Sequence, residues 1–396
     1  MRIRTVQGRT TLLLYAMMLI AFLFLPQSTV NAQTLQVPEE VDSNFVIASI
    51  IIADPGDVLY STVGHVGIHM QCPVHDLDYV FTYESEGAQD KVLKFLAGNL
   101  KMGMTAVPFQ EYLDMFRPDG REVKEYNLYL PIEVKQNLWR VLDNHLMEGM
   151  DLPYDYMKRG CAYSTLKILM EGMDSLRLEF GPWPETFSLT RRELTEIQMK
   201  DVPWTWCFMN LICNGQIDAT CSKIDKVIMP ADLIEVLKNA TVQGKPLMQD
   251  LPTTVLPGNH VIKPCLFTPF VLSILLLLLT IFCAAYKSNI MDYVLLAAQT
   301  ILGLITIYLV FFSSLPCTEW SWLIIPFNPL PLIFWKWRQK WCIPYAFVIL
   351  IWALVMLLWP HHLTDNTYII LSVALAVSYA NIYRLSKISD KNNSVI

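Results

Sequence analysis

The sequence predicts an exported domain of mixed α+β class followed by an all-α membrane bundle of about five helices, and three observations carry that expectation. Of the 396 residues, 53% are hydrophobic and only 17% charged, with a positive mean hydropathy, which is too apolar for an ordinary soluble protein. The apolarity is uneven: runs long enough to cross a bilayer stand at the extreme N-terminus and again only after Pro264. The roughly 230 residues between them hold most of the charge and alternate short β-branched runs with helical patterns.

Residues 1–32 read as a secretory signal, with Arg2, Arg4 and Arg9 as a basic head, Thr11 to Pro26 as an apolar core, and Val30-Asn31-Ala32 as a small-residue cleavage site. An uncleaved anchor is the alternative; either way residues 33–263 are exported. No cysteine lies at the cleavage site, so the chain is not itself a lipoprotein of the lipobox type. Strand patterns run from Phe45 to Ile52, Val66 to Cys72, Tyr79 to Glu84, Met102 to Val107 and Val123 to Leu130. Helical patterns follow from Pro131 to Met150 and from Cys161 to Met173, where Ala162, Leu166, Leu169 and Met173 share one face.

The membrane domain is expected over 264–384, with spans near 266–286, 293–312, 322–335, 341–359 and 368–383, and a tail at 385–396. The third is short and broken by Pro326, Pro329 and Pro331, which suits a broken or re-entrant segment buried against its neighbours. Lys287, then Lys336, Arg338 and Lys340, then Arg384, Lys387 and Lys391 follow alternate spans, whereas the other loops hold Glu319 and Asp365. By the positive-inside rule the N-domain lies outside and the C-terminus in the cytoplasm. Trp320, Trp322, Trp335, Trp337, Trp341 and Trp359 fall at the ends of spans as interfacial belt residues.

The net charge of −6 without a basic stripe excludes a nucleic-acid partner, and no phosphate- or dinucleotide-binding glycine motif is present. His361 and His362 lack further ligands at metal spacing and read as interfacial, so no metal and no cofactor is expected. Five of nine cysteines are exported: Cys72, Cys161, Cys207, Cys213 and Cys221. In an oxidising compartment that count suggests disulfides, with at least one among Cys207, Cys213 and Cys221, and one thiol left for chemistry.

Two motifs could hold that chemistry. Asp57 to Ile68 is a turn leading into a strand that starts at His65, and Tyr154-Asp155-Tyr156-Met157-Lys158-Arg159-Gly160-Cys161 sets a cysteine on the first turn of a helix. There the helix N-terminus favours the thiolate, and beside an imidazole it would form a Cys–His nucleophile pair. Cys161 and His65 are the candidate catalytic residues; Asp155, His69, Tyr154 and Ser61 are candidates for orienting or supporting them. The bland readings are a disulfide for Cys161, a structural histidine for His65, a solvated strand residue for His69, and turn residues for Asp155 and Ser61.

This arrangement resembles the Lnb-type lipoprotein N-acyltransferases. The resemblance takes in Pro55-Gly56-Asp57 through Ile68, Phe95-Leu96-Ala97-Gly98, the Tyr126 to Leu130 strand, Tyr154 to Cys161, Trp206 to Asp218, and Trp320 to Leu332 with its Asn328-Pro329-Leu330. Gly160 departs from it, since the family usually carries Asn before the cysteine. More distantly, the order of His and Cys is similar to permuted papain-like and NlpC/P60-like folds, which form acyl-enzymes. The resemblance implies a bacterial inner-membrane enzyme with its soluble domain in the periplasm. Cys161 would take an acyl chain from a membrane phospholipid as a thioester, His65 acting as base and then acid, and pass it to the α-amino group of a diacylglyceryl lipoprotein cysteine. The competing readings are a cell-wall cysteine peptidase or amidase, and a non-catalytic lipoprotein- or lipid-handling module.

Overall fold

The structure, a computed structural model, describes residues 46–57, 61–87, 91–173, 176–263, 265–359 and 364–393. The signal segment and the His361-His362 pair lie outside the described residues. The chain begins with strands β1 (Ile47–Ala53), β2 (His65–Cys72) and β3 (Leu77–Ser85), then a short helix α1 (Val92–Leu96), strand β4 (Lys101–Pro108), helix α2 (Phe109–Asp114) and strand β5 (Val123–Asn127). Helix α3 (Ile132–Met147), the short strand β6 (Leu152–Pro153) and helix α4 (Cys161–Gly172) follow. Beyond them come β7 (Leu178–Glu179), α5 (Arg191–Gln198), α6 (Pro203–Ile212), α7 (Pro230–Lys238), β8 (Thr241–Val242), β9 (Lys245–Pro246) and β10 (Thr253–Leu256).

Seven strands form one antiparallel sheet in the order β10-β5-β1-β2-β3-β4-β6, as their period-2 patterning demands. On one face Ile51, Ala53, Val80, Val123 and Leu256 are covered by Tyr112, Leu113 and Phe116 of α2 and the turn after it. Helices α3 and α4 pack on the sheet from β2 to β4, where Trp139 meets Phe81 edge-on at 6.4 Å. The helical stripe expected in α4 is buried: Ala162, Leu166, Leu169 and Met173 are at most 2% exposed.

The pairing aligns one end of five strands. Ala53 lies opposite His65 and Val123 in the ladder, Leu256 pairs Val123, and continuing the Ile68–Phe81 register sets Glu84 opposite His65. The connection between β3 and β4 leaves from this same end, and α1 lies within it. After α1, the carbonyls of Leu96 and Ala97 accept hydrogen bonds from Ser313 Oγ (2.6 Å) and Ser314 N (3.1 Å). At Gly98, with φ of +74°, a Cβ would stand 2.2 Å from Leu315 N, so backbone lies directly on backbone at this seam.

The membrane domain consists of α8 (Pro269–Ala285), α9 (Ile290–Phe312), a single turn α10 (Leu330–Ile333), α11 (Arg338–Leu358) and α12 (Asn366–Asn393). Among the described residues three helices are long and apolar enough to cross a membrane, and Pro269–Ala285, at 17 residues, is a shorter apolar one. The segment after α9 is not a continuous helix but a turn at Trp322–Ile324 and α10. Its freed carbonyls are taken up by side chains: Asn328 Nδ2 donates to Ile324 O (3.2 Å) and Ile325 O (3.0 Å), and Gln299 Nε2 to Pro326 O (2.7 Å). Non-helical backbone at such depth requires this satisfaction. Gly303 of α9 permits it, since a Cβ there would meet Asn328 Cα at 2.4 Å.

All nine cysteines are free, which corrects the expected local bridge. Cys207 turns toward Tyr368, whose hydroxyl donates to its carbonyl (2.8 Å), while Cys213 contacts the Tyr156 hydroxyl (3.0 Å). Six residues apart on and after α6, the two sulfurs face different partners.

Candidate active site

His65 reaches its place through a tight loop. The Ser61 carbonyl accepts from both Gly56 N and Gly64 N at 2.9 Å, so Ser61 shapes the turn. Gly64, at φ +81°, must be glycine, because a Cβ would lie 2.6 Å from Ala53 O. The strand then starts on His65, whose side chain is 18% exposed. Its Nε2–H lies 3.1 Å from Glu84 Oε1 and 2.6 Å from Thr82 Oγ1, and the Thr82 hydroxyl in turn donates to Val66 O at 3.2 Å. The fixed donor chain orients the ring.

Cys161 begins α4, and the helix start brings its half-buried sulfur near enough to His65 for each group to shift the other's pKa. Gly160 is the N-cap, and a Cβ there would stand 2.9 Å from Tyr156 O. The chain packs so tightly at this turn that the position usual for Asn in the resembled family is filled by backbone. Burial pushes the Cys161 thiol up, but the charge of and hydrogen bond from His65, with the Val66 N–H, outweigh it and hold the thiol below its ordinary range. For His65 burial disfavours the cation, yet the Glu84 carboxylate and the Cys161 sulfur raise its pKa well above the usual value. The pair is thereby biased toward thiolate and imidazolium.

Of the other candidates, Tyr154 stands near the thiol, its phenol's pKa raised by burial and then by the charge of the Cys161 sulfur, whereas Asp155 and His69 are engaged elsewhere. The Asp155 carboxylate accepts from Met157 N (2.9 Å) and Lys158 N (3.0 Å), the turn-forming role its position also allowed. Glu84, not Asp155, stands beside the imidazole. His69 is 1% exposed, pinned between Glu125 (2.7 Å) and Asp78 (2.6 Å) and stacked on Phe109 at 4.2 Å. It is a core ion cluster rather than a cleft residue. Tyr154 packs on Phe95 and belongs to the apolar cluster of Ile212, Leu309 and Leu315, between the thiol and the membrane domain.

Sequence reasoning missed Glu84, Thr82 and Tyr112. Glu84 is the last residue but one of β3, whose sequence pattern runs from Tyr79 to Glu84, and counting the hairpin register back from His65 would have found it. Tyr112 carried no local signal; its buried hydroxyl has no hydrogen-bond partner among the described residues, and its phenol feels the charges of Glu84, Cys161 and Arg121. Among the described residues no cluster could hold a metal ion.

Two family models match the chain. Residues 35–194 match the Lnb N-terminal periplasmic domain, and residues 261–389 match the Lnb transmembrane domain. No curated protein and no solved structure shows significant similarity to it.

Proposed function

We propose, from the premise that this chain belongs to the Lnb family, that it is a lipoprotein N-acyltransferase acting through a Cys161–His65 dyad with Glu84 as the orienting carboxylate. The family makes the protein an acyltransferase-like integral membrane protein of the inner membrane with a periplasmic N-terminal domain. The observation that carries the finer reading is the position of the dyad. It lies at the end of the sheet from which the α1 connection reaches Ser313–Leu315, beside the membrane domain, where a bilayer ester can be met. A cell-wall peptidase would have no use for that position.

The Cys161 thiolate attacks the ester carbonyl of a phospholipid. The tetrahedral adduct breaks its C–O bond, the His65 imidazolium protonates the departing alkoxide, and a lysophospholipid leaves an acyl thioester on Cys161. The α-amino group of a diacylglyceryl lipoprotein cysteine then attacks the thioester. His65, now neutral, takes a proton from the nitrogen; the C–S bond breaks and the amide and the thiolate are released. With Nε2 engaged by Glu84 and Thr82, Nδ1 is the nitrogen that exchanges these protons. The lysine- and arginine-bearing loops support a cytoplasmic C-terminus after cleavage of residues 1–32.

The test is mass spectrometry of lipoprotein N-termini from cells whose only copy carries Cys161→Ser or His65→Ala. Each should leave the N-termini diacylated, because removing either half of a nucleophile–base unit costs about as much as removing both. Full triacylation in the Cys161→Ser strain overturns the mechanism.

A further inference from the structure

At the end of the sheet that carries His65 lies a second feature that the transfer chemistry does not use: an open pocket of about 460 Å³ whose rim includes Arg117, Gly120, Arg121, Gly258 and Asn259. Two arginines thus line one cavity. Arg121 is 5% exposed and held in place, its Nε donating to Asp54 O at 2.6 Å and its guanidinium stacked 4.7 Å over Phe116. Arg117 is 53% exposed and reaches Asp114 at 2.7 Å, a pairing that solvent screens. The wall is backbone at close quarters: Asn259 N and His260 N both donate to Gly120 O at 2.9 Å, and a Cβ on Gly258 would lie 2.2 Å from Glu122 N.

Its place follows from the sheet. Arg121 precedes Val123 at the start of β5, and Leu256 ends β10, so the pocket opens at the same end of the sheet as His65. The carbonyl that Arg121 binds belongs to Asp54, the residue after Ala53, which is the ladder partner of His65. Two strand spacings, about 10 Å, separate β5 from β2. That is within the combined reach of an arginine side chain and the glycerol unit of a lipid.

We infer that this pocket is the subsite for the phosphodiester of the acyl donor, a deepening that rests on the acyltransferase reading above. A fixed cationic side chain with a second, exposed arginine beside it suits a phosphate oxyanion through its charge. In a glycerophospholipid the phosphate lies only a few bonds from the ester carbonyls, so anchoring it here presents one ester to Cys161. The diacylglyceryl lipoprotein acceptor carries no phosphate on its glycerol. The pocket therefore selects the donor in the first half of the reaction and leaves the acceptor free to bind in the second.

The experiment uses the full chain in vesicles and follows the acyl thioester on Cys161 by intact-protein mass spectrometry, with either phosphatidylglycerol or diacylglycerol as donor. The wild type should acylate faster from phosphatidylglycerol, and Arg117→Glu and Arg121→Lys should each cut that preference tenfold or more. Arg117→Glu changes an exposed side chain and Arg121→Lys keeps the charge, so at least one readout survives a folding defect in the other. Inorganic phosphate should slow acylation of the wild type and not of the variants. An unchanged preference in both variants overturns the subsite, and phosphate inhibition alongside that unchanged preference would mark a site for free phosphate, overturning it equally. Absence of thioester from either lipid in the wild type would instead sink the acyltransferase reading itself.

Discussion

A thiol beside an imidazole shares its proton according to the charges around both, so the pH response of Cys161 is set by its neighbours. The thiolate exists above the depressed pKa of Cys161 and the imidazolium below the raised pKa of His65, and the ion pair occupies the interval between. Glu84 raises both values, by attracting the imidazolium and repelling the thiolate. Glu84→Gln should therefore move both limbs of a pH profile for iodoacetamide alkylation of Cys161 to lower pH, and slow acyl transfer about tenfold or more. Limbs that stay where they are would mean that Glu84 exerts no field on the pair. His69 gives the opposite kind of response. Burial disfavours its cation, but Glu125 and Asp78 raise its pKa above 6.5. Its stabilisation is complete below the unfolded-state value and is lost as pH rises through the native one. His69→Gln should lower the melting temperature at pH 6 and narrow the gap from wild type as the pH is raised. At Tyr112 the buried hydroxyl has no partner among the described residues, which costs roughly 1–3 kcal/mol. Tyr112→Phe should raise the melting temperature, and a fall would reveal a hydrogen bond that satisfies it.

Among the elements, the segment from Trp322 to Ile333 depends most on particular side chains. Asn328 satisfies two carbonyls and also donates to Tyr345 Oη at 2.7 Å. Asn328→Leu strands Ile324 O, while Ile325 O keeps the Tyr345 hydroxyl at 2.8 Å, and the expected loss is about 1–3 kcal/mol. A thermal melt in detergent checks it, and an unchanged transition would mean water replaces the amide. The sequence announced this segment through its three prolines, just as period-2 runs announced β1 to β5 and a 3.6 period announced α4. What it did not announce were the pairings. Glu84 belongs to His65 only through the antiparallel register of two strands, and Asp155 is excluded from the site by two backbone N–H groups of its own turn. Local spacing is legible along a chain; which carboxylate arrives beside an imidazole is decided by a ladder that closes across seventeen or more residues, as with Thr82.

At the scale of the molecule, the end of the N-terminal domain that holds Cys161 and His65 is also the docked end. Phe95, Leu96, Tyr154, Ile212 and Phe208 pack against Leu309, Leu315 and Ile305 of the membrane domain. A fragment ending at 263 would bare this apolar surface. It should associate in solution and fail to N-acylate lipopeptides from a bilayer donor; a monodisperse fragment with full activity would reduce the membrane domain to an anchor. The seam at Gly98 has a further consequence. Because backbone rests on backbone there and the Ser313 and Ser314 hydroxyls bond the Leu96, Ala97 and Gly98 carbonyls across it, the height of the thiol above the bilayer is fixed by how the helices sit in it. Helix α8 has 17 residues, about 25 Å at 1.5 Å per residue, against a hydrocarbon core of about 30 Å. The enzyme would then act as a depth gauge. In vesicles of graded acyl length its rate should peak where the bilayer is thin enough to match that helix, and decline as thicker bilayers lift the ester carbonyls out of register with Cys161.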